Sequence, residues 1–440
     1  MKKFCSVVFI IPLIFLSVFY NLSAETIKVN SVASLQQAIY NSKPDDIIIV
    51  QNGTYKTFES ILVRKQGTAD NPITIEAETI GGAEINGTNG FLISSPSSYI
   101  IIKGFIFKQN SGTTSIGDGA THCIITRNVF ECAPVNSGAK PYLNISGDDN
   151  EISYNTFQNK TDEGQMVSVQ GPGGNKMAKR TWIHHNYFYN FPSKLNNCSA
   201  IQLGLSGRSM DSAFCVVEYN LFVRTEGENE GAICHKSCNN IIRYNTFGER
   251  SEELSLRHGN KSRVYGNFFI NTTGLRFSGD NHLIYGNYFQ GCTKAIVCTN
   301  GDGEVKDGSK LTCHDRPDRV TVVNNIIIDC KSSFQMPGRN NGLGATNITF
   351  ANNIIQGGEG VTIQGSYTNP IWKDNIIWET TGGSMPADSY KITDPGLVKD
   401  MYGVFRQTIK YSAFGSGKFE SIPATNRPLT TEDVGPASGR

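Results

Sequence analysis

The chain has 440 residues, of which 45 are glycine and 18% are charged, and its formal net charge is +1. A chain of this length can bury a core, and its length alone would suggest two or three domains. The near-neutral charge does not support nucleic acid as a partner, although it is compatible with a local basic groove for an anionic ligand.

The amino terminus has the pattern of a cleavable export signal. Lys2 and Lys3 are followed by an almost wholly apolar stretch over residues 4–20, and the small residue Ala24 offers a cleavage point. The apolar stretch is marginal in length for a membrane span, and no later segment resembles one. We therefore expect residues 1–24 to be removed and the mature chain to be exported, either to the periplasm or to the medium.

Residues 31–39 carry serine capping signals and apolar side chains at helical spacing. This pattern predicts a short helix. We expect the helix to cover the open end of the strand repeat that follows, because an exposed terminal strand invites aggregation.

A short unit recurs through most of the chain: two or three β-forming residues, an asparagine, one variable residue, and phenylalanine or isoleucine. Its spacing varies from 20 to 37 residues, as expected for a constant rung with inserted loops. Strand-forming runs punctuated by glycine and asparagine dominate, without a competing helical period. We predict an all-β, single-domain, right-handed parallel β-helix over residues 25–390, with the asparagines stacked in a turn ladder. The predicted ladder residues are Asn128, Asn155, Asn186, Asn220, Asn245, Asn267, Asn287, Asn324, Asn352 and Asn375.

Beyond this region the repeat fades into glycine, proline, serine and charged residues. We predict that residues 391–440 form a tail that packs on the last coils and not a second domain. Nothing in the pattern predicts an oligomeric state.

Ten cysteines follow the export signal. In an exported chain they can form disulfides or serve as small core residues, and Cys234 and Cys238 are close enough in sequence for a local disulfide. The cysteine and histidine spacings do not match a structural zinc site.

Three cations lie at nearly the same phase of the repeat. Lys236, Arg257 and Arg276 precede their ladder asparagines by 9, 10 and 11 residues. Stacked coils would place them in a vertical basic stripe, which on most β-helices is a solvated outer face. Here His258 follows Arg257 directly and an acidic cluster over residues 226–230 precedes Lys236, so a functional cleft is the better interpretation.

The segments GENEGAICHKSCNNIIRYNTF at residues 227–247, LRHGN at residues 256–260 and GLRFSGDNHLIYGNYFQG at residues 274–291 resemble polysaccharide lyase family 6. This is the alginate lyase and chondroitinase B family, and the resemblance extends over most of residues 25–390. It implies a right-handed parallel β-helix that cleaves a 4-linked uronate polysaccharide by β-elimination.

The resemblance also implies roles for individual residues. Lys236 would be the base, in a neutral form that the neighbouring cations Arg257 and His258 would favour. Arg257 would stabilise the developing charge or help to protonate the leaving oxygen, and His258 would orient or neutralise the substrate carboxylate. Arg276 and His282 would contact neighbouring uronates.

Many members of this family hold a calcium ion on an asparagine and a Glu-x-Glu pair. Asn196 or Asn197 with Glu228 and Glu230 would be the matching ligands here. The family pattern places the second glutamate five residues before the lysine, whereas Glu230 lies six residues before Lys236. This departure leaves calcium binding open, and without calcium His235 or another cation would neutralise the substrate carboxylate.

Alginate, with a preference for mannuronate-rich chains, is the predicted substrate, and chondroitin or dermatan sulfate is the alternative. A non-catalytic β-helix that binds polyanionic carbohydrate would show the same basic stripe. An inverting glycoside hydrolase is less compatible, because it needs a pair of carboxylates in its cleft.

Overall fold

The computed structural model describes residues 24–110, 112–134, 138, 140–192, 198–226, 230–306, 309–311, 313–340, 342–407 and 419–437. Within these residues three parallel sheets of 14, 14 and 12 strands wind around one core. The predicted single-domain right-handed parallel β-helix is therefore confirmed. Most of the predicted export signal, residues 1–23, lies outside the described residues.

Each complete coil contributes one strand to each sheet. Sheet 1 contains Thr26–Val29, Ile47–Val50, Ile73–Ala77, Ile100–Lys103, Ile124–Thr126, Glu151–Ser153, Trp182–His184, Val216–Glu218, Ile241–Arg243, Arg263–Tyr265, Leu283–Tyr285, Thr321–Val323, Thr349–Ala351 and Ile371–Lys373. Sheet 2 contains Gly53–Thr57, Ala83–Gly87, Phe105–Gln109, Val129–Phe130, Thr156–Gln158, Tyr187–Phe191, Leu221–Thr225, Thr246–Phe247, Phe268–Ile270, Tyr288–Gln290, Ile326–Ile328, Ile354–Gln356, Asn375–Trp378 and Tyr390–Ile392. Sheet 3 contains Ile61–Val63, Phe91–Ile93, Thr114–Ile116, Leu143–Ile145, Val167–Val169, Ile201–Leu203, Ile233–Lys236, Leu254–His258, Leu275–Phe277, Ile296–Cys298, Phe334–Met336 and Val361–Ile363.

Short elements lie outside the three sheets. They are the parallel pair Ala345–Thr346 and Tyr367–Thr368, the antiparallel pair Leu397–Lys399 and Phe405–Gln407, and the 3-10 helices Ser206–Arg208 and Ala387–Ser389.

The repeat unit explains both the turns and the core. Its asparagine sits in the turn between sheets 1 and 2, where its side-chain oxygen accepts hydrogen bonds from the asparagine of the preceding coil. Asn186, for example, donates its backbone N–H and its Nδ2 to Asn220 Oδ1, both at 3.0 Å. Two residues later the phenylalanine points inward and stacks on its equivalents, so that Phe188 and Phe222 have ring centroids 4.9 Å apart. The asparagine ladder and the phenylalanine stack, both encoded by one motif, therefore each fix the spacing between successive coils.

The ladder is shifted by one residue in the later coils. Asn325 and Asn353 carry it, whereas the predicted residues Asn324 and Asn352 have φ values of 57° and 53°. The physical reason is that each turn needs a left-handed residue immediately before the ladder asparagine. Asparagine tolerates that conformation, so a pair of asparagines fills both positions.

The predicted amino-terminal helix is present at Val32–Asn41. Ser31 and Ser34 form a capping box, and Leu35, Ala38 and Ile39 are buried against the first coil. The amide of Gln36 also bonds the backbone of Leu62 on the first strand of sheet 3, with an Nε2–O distance of 2.8 Å and an N–Oε1 distance of 2.9 Å. The helix therefore covers an edge that would otherwise be open. Among the described residues, no helix is long and apolar enough to cross a membrane.

Asn220 in the middle of the ladder is expected to be essential for stability. It is fully buried, and its Nδ2 donates to the Ile183 and Glu218 carbonyls, each at 2.9 Å. Asn220→Ala leaves these carbonyls and the donors of Asn186 without partners, so we expect a loss of about 4 kcal/mol in the free energy of unfolding. Urea denaturation measures this loss. Replacement of the exposed Asn71 is the control, and equal effects at both positions would contradict the structural role of the ladder.

The carboxyl-terminal tail was predicted to pack on the last coils, but it extends beyond them. Residues 419–437 run back along the outside of the β-helix toward its earlier coils. Glu420 pairs with Arg263 Nη1 at 2.7 Å, and the Gly435 N–H donates to the His185 carbonyl at 3.0 Å. Complementary charge on the middle coils explains this path.

Every cysteine from Cys123 to Cys330 is a free thiol. The local disulfide considered for Cys234 and Cys238 is absent, because the two side chains have separate partners. Cys234 Sγ donates to Glu230, while Cys238 Sγ accepts the backbone N–H of Asn260 at 3.2 Å. Nine of the ten cysteines are buried, and they serve as core and turn residues.

Candidate active site

The outer face of sheet 3 brings the predicted catalytic residues together. Strands Ile233–Lys236 and Leu254–His258 pair in parallel, and the register shifts by one residue after His235, so that Lys236 lies opposite His258. Arg257 occupies this β-bulge. Adjacent residues of a regular strand face opposite sides, but the bulge allows Arg257 and His258 to lie on the same side as Lys236.

Glycine ends the strand immediately after the bulge. Gly259 has a φ of +87°, and a Cβ at this position would lie 2.3 Å from the Ser237 carbonyl oxygen. Only glycine fits both this conformation and this close approach. The turn therefore holds the ends of the two strands together.

The phase of Arg276 predicted that it would continue a vertical stripe with Lys236 and Arg257, but the structure does not show this arrangement. In the strand register Arg276 lies opposite Ser255, before the bulge. Its Nε is 2.7 Å from Glu253 Oε1, and its Nη2 donates to Ser255 Oγ at 2.9 Å. The difference in phase is the reason: Arg276 precedes its ladder asparagine by 11 residues, as Cys234 does, and Cys234, Ser255 and Arg276 are aligned on successive strands. Arg276 therefore lies two positions before Lys236 along the strand direction, beside Lys236 and Arg257 and not in line with them.

Glu230 links the two central cations. Its Oε2 is 2.7 Å from Lys236 Nζ, and its Oε1 is 3.1 Å from Arg257 Nη1. Burial raises the pKa of Glu230. Lys236, the Cys234 hydrogen bond and Arg257 together lower this pKa by more than burial raises it, so the pKa lies below its usual value. Glu230 and Lys236 are both only 6% exposed. The site thus contains a buried carboxylate shared between two cations.

His258 is a neutral imidazole at neutral pH. Burial lowers its pKa to about 3, and His314, Arg257 and Lys236 lower it in the same direction. A neutral ring can donate one hydrogen bond and accept another, but it adds no positive charge. Both predicted roles of His258 stay predictions. Orientation of the carboxylate fits the neutral ring, and neutralisation would require the substrate carboxylate to raise this pKa.

His235 and His282 lie inside the coil, and the prediction that they contact substrate is wrong. Both are fully buried, because strand alternation turns His235 inward and His282 sits in the turn below it. His235 Nε2 is 2.8 Å from Ser262 Oγ and 3.0 Å from Asn240 Nδ2. Both nitrogens of His282 are bonded to backbone, at Ser262 N and Ser278 O. These histidines support the turn beneath the site.

The buried histidines predict acid sensitivity. Burial lowers the pKa of His235 to about 3 and that of His282 to about 4, as it does for His258. An unfolded chain binds these protons near pH 6.5, so stability is complete above about pH 6.5 and falls as the pH drops toward the folded pKa values. Each histidine contributes up to about 1.4 kcal/mol per pH unit.

We expect the free energy of unfolding to decrease by several kcal/mol between about pH 7 and about pH 5. Urea denaturation at the two pH values measures the decrease. His282→Gln removes one titrating group and should reduce the slope. Equal stability at both pH values would contradict the buried neutral state of these rings.

His314 is part of the site, although the sequence reasoning missed it. Its ring stacks on His258 with centroids 4.9 Å apart and an interplanar angle of 26°. The signal that could have revealed it is the 38-residue spacing between the ladder residues Asn287 and Asn325, one of the longest in the chain. That spacing leaves room for a loop, and the loop carries the charged run His314-Asp315-Arg316.

Only Glu230 of the predicted calcium ligands is among the described residues, so calcium binding stays a prediction. Asn196, Asn197 and Glu228 lie outside the described residues. Glu230 is described, and both of its carboxylate oxygens are already in ion pairs. Among the residues whose placement is described, no group of three or more histidine, cysteine, aspartate or glutamate side chains is arranged to hold a metal ion. A calcium ion would have to displace Lys236 and Arg257 from Glu230.

A family model described as Chondroitinase B matches residues 29–376 of the chain. The match includes every residue of the site described above. No curated protein matches the chain significantly.

Several solved structures have the same fold. The alginate lyase AlyGC of polysaccharide lyase family 6 has a TM-score of 0.77 at 23% identity, and the alignment covers 93% of this chain and 58% of that one. A mannuronic acid specific family 6 lyase from human gut microbiota has a TM-score of 0.69 at 23% identity and coverages of 81% and 86%. A family 6 alginate lyase in complex with a trisaccharide has a TM-score of 0.71 at 17% identity and coverages of 94% and 95%. At these identities the similarity establishes the fold.

Proposed function

This chain belongs to the chondroitinase B family, polysaccharide lyase family 6, and we propose that it cleaves a 4-linked uronate polysaccharide by β-elimination. The observation that carries the proposal is the bulged register of sheet 3. It places Lys236, Arg257 and His258 at one spot on the outer face of the β-helix, around a shared carboxylate. A base, a fixed cation and a neutral hydrogen-bonding ring are the groups that this elimination needs.

The reaction breaks two bonds of the substrate. A base removes the proton on C5, the electron pair forms the C4–C5 double bond, and the C4–O4 bond breaks as the oxygen leaves and takes a proton from water. Negative charge develops on the substrate carboxylate as the proton departs. We assign proton removal to Lys236, stabilisation of the carboxylate charge to Arg257, and orientation of the carboxylate to His258.

Glu230 has a consequence for the first step. A lysine ammonium has no lone pair for a substrate proton, so Lys236 has to release a proton to solvent and its 2.7 Å contact with Glu230 has to open before it acts as the base. The substrate is itself a carboxylate and competes with Glu230 for Arg257 and Lys236. Substrate binding is therefore the event that we expect to rearrange the pair.

Alginate is the first substrate that we propose. The three solved structures of the same fold described above are an alginate lyase, a mannuronic acid specific lyase and an alginate lyase bound to a trisaccharide. A mannuronate-rich chain is our first choice within alginate. Dermatan or chondroitin sulfate is the alternative, because it also presents a 4-linked uronate.

One assay tests the proposal. Purified protein is incubated with polymannuronate, polyguluronate and dermatan sulfate while the ultraviolet absorbance of the unsaturated product is followed. We expect a signal on polymannuronate first. Reducing ends without this absorbance would indicate hydrolysis and overturn the proposal, and binding without any cleavage would indicate a carbohydrate-binding protein.

Calcium is tested in the same assay. Because Glu230 is engaged with two cations, we assign no step to a metal, and a chelator is expected to leave the rate unchanged. A loss of rate that added calcium restores would show that Asn196, Glu228 and Glu230 rearrange into a metal site. Export to the periplasm or the medium is also part of the proposal, and it rests on the pattern of residues 1–24.

A further inference from the structure

Residues 300–306 and 313–318 are described parts of a loop beside the candidate active site, and backbone hydrogen bonds join the two segments. The Gly301 N–H donates to the Leu343 carbonyl at 2.9 Å, which fixes the start of the loop. Across the loop, the Asp302 N–H donates to the His314 carbonyl at 2.8 Å, and the Arg316 N–H donates to the Gly303 carbonyl at 3.1 Å. Residues 302 and 303 therefore hold His314 and the residues that follow it by backbone hydrogen bonds.

The side chain of His314 lies on the same face as Lys236, Arg257 and His258. Its ring covers His258 at 4.9 Å, and Arg257 and Arg276 are both close enough to act on its charge. Arg339, which pairs with Asp302 at 2.6 Å, is a third neighbouring cation. The ring therefore lies beside the path that a bound polyanion would follow beyond the sugar unit held by His258.

The ring nitrogens of His314 are available to a ligand. No hydrogen bond joins them to any residue in the described part of the chain, and the side chain is partly exposed. His282, by contrast, has both nitrogens bonded within the protein. Burial and Arg257 lower the pKa of His314, so the ring is neutral at neutral pH and offers one donor and one acceptor.

We propose that His314 is a substrate-contacting residue that hydrogen-bonds the uronate unit adjoining the one held by Lys236 and His258. The inference rests on the proposed function, and it adds a contact that sets affinity for the polymer. A single donor and acceptor can bind a sugar hydroxyl or a carboxylate oxygen. Because backbone hydrogen bonds already hold His314 and Arg316 in place, the contact needs little ordering, so its loss should appear in binding more than in turnover.

The test compares His314→Ala and His314→Gln with His122→Asn. His122 is a suitable control, because it also stacks on an aromatic ring, that of Tyr99 at 4.7 Å, but lies four coils before Lys236. We expect His314→Ala to raise KM for polymannuronate about ten-fold while kcat changes less than about three-fold, the effect of one lost hydrogen bond. His314→Gln keeps a donor and should recover part of the affinity, and His122→Asn should behave as the unmodified protein.

Binding is measured separately in a Lys236→Ala background, by calorimetry with a mannuronate tetramer. Adding His314→Ala should weaken the dissociation constant about ten-fold, with an unchanged melting temperature. Unchanged KM and affinity would overturn the inference, as would a loss confined to kcat, which would mean that His314 acts only through His258. If the unmodified protein neither cleaves nor binds any of the uronate polymers, the proposed function fails, and this inference fails with it.

Discussion

Lys236→Ala is expected to lower kcat about ten-thousand-fold while the affinity for the polymer changes less than about ten-fold. The side chain is the only lysine amine that the described residues place beside Arg257 and His258 on the outer face of sheet 3. Removing it takes away the proposed proton acceptor and leaves the groups that bind the carboxylate. Absorbance assays and calorimetry with a mannuronate oligomer measure the two quantities.

The variant also removes one partner of a buried ion pair, so stability has to be measured with activity. Glu230 keeps its contact with Arg257 at 3.1 Å, which limits the loss to a few kcal/mol. Lys236→Met preserves the volume of the side chain and serves as a second inactive variant. Lys331→Ala, at an exposed position about four coils later, is the control. More than about 1% residual activity in a folded Lys236→Ala protein would move the base to another group.

Arg257→Ala is expected to lower kcat/KM about a thousand-fold, because no other guanidinium occupies the bulge beside Lys236 and His258 among the described residues. Arg257→Lys keeps the charge but loses the planar fork, and it should recover only part of the rate. The expected effect is mainly on kcat, since the carboxylate charge is largest in the transition state.

Arg276→Ala is the matched control for Arg257. Arg276 is paired with Glu253 and lies opposite Ser255, so its removal should raise KM about ten-fold and leave kcat nearly unchanged. Steady-state kinetics on polymannuronate separate the two effects. Equal losses of kcat in the two variants would show that Arg276 takes part in catalysis, and the register argument would then be wrong.

The fold was predictable because its information is local and repeated. The asparagine and phenylalanine of each unit recur coil after coil, and each forms a ladder with its own equivalents, such as Asn186 with Asn220. A repeat that contacts itself needs no distant partner, so the period alone indicates the stacking. The one-residue error at Asn324 and Asn352 arose where two asparagines stand side by side and the motif cannot distinguish them.

The candidate site was predictable only in part. Lys236, Arg257 and His258 lie on successive coils, and the repeat brings them together. His235 shows what the sequence could not predict. The repeat places His235 near Lys236 and Arg257, but it does not indicate the direction of the His235 side chain. A shift of one residue along a strand reverses the direction of the side chain, so His235, next to the proposed base Lys236, points into the core.

What the sequence by itself determined is the stacking of the coils, the amino-terminal cap and the phase that brings Lys236 close to Arg257. The tertiary structure decided the rest: the bulge that sets His258 opposite Lys236, the register that puts Arg276 opposite Ser255, the pairing of Glu230 with both cations, and the loop that lays His314 on His258. The physical reason is that a repeat period specifies which residues are neighbours along the helix axis. Strand register, side-chain facing and loop position depend on contacts between residues that no short motif contains.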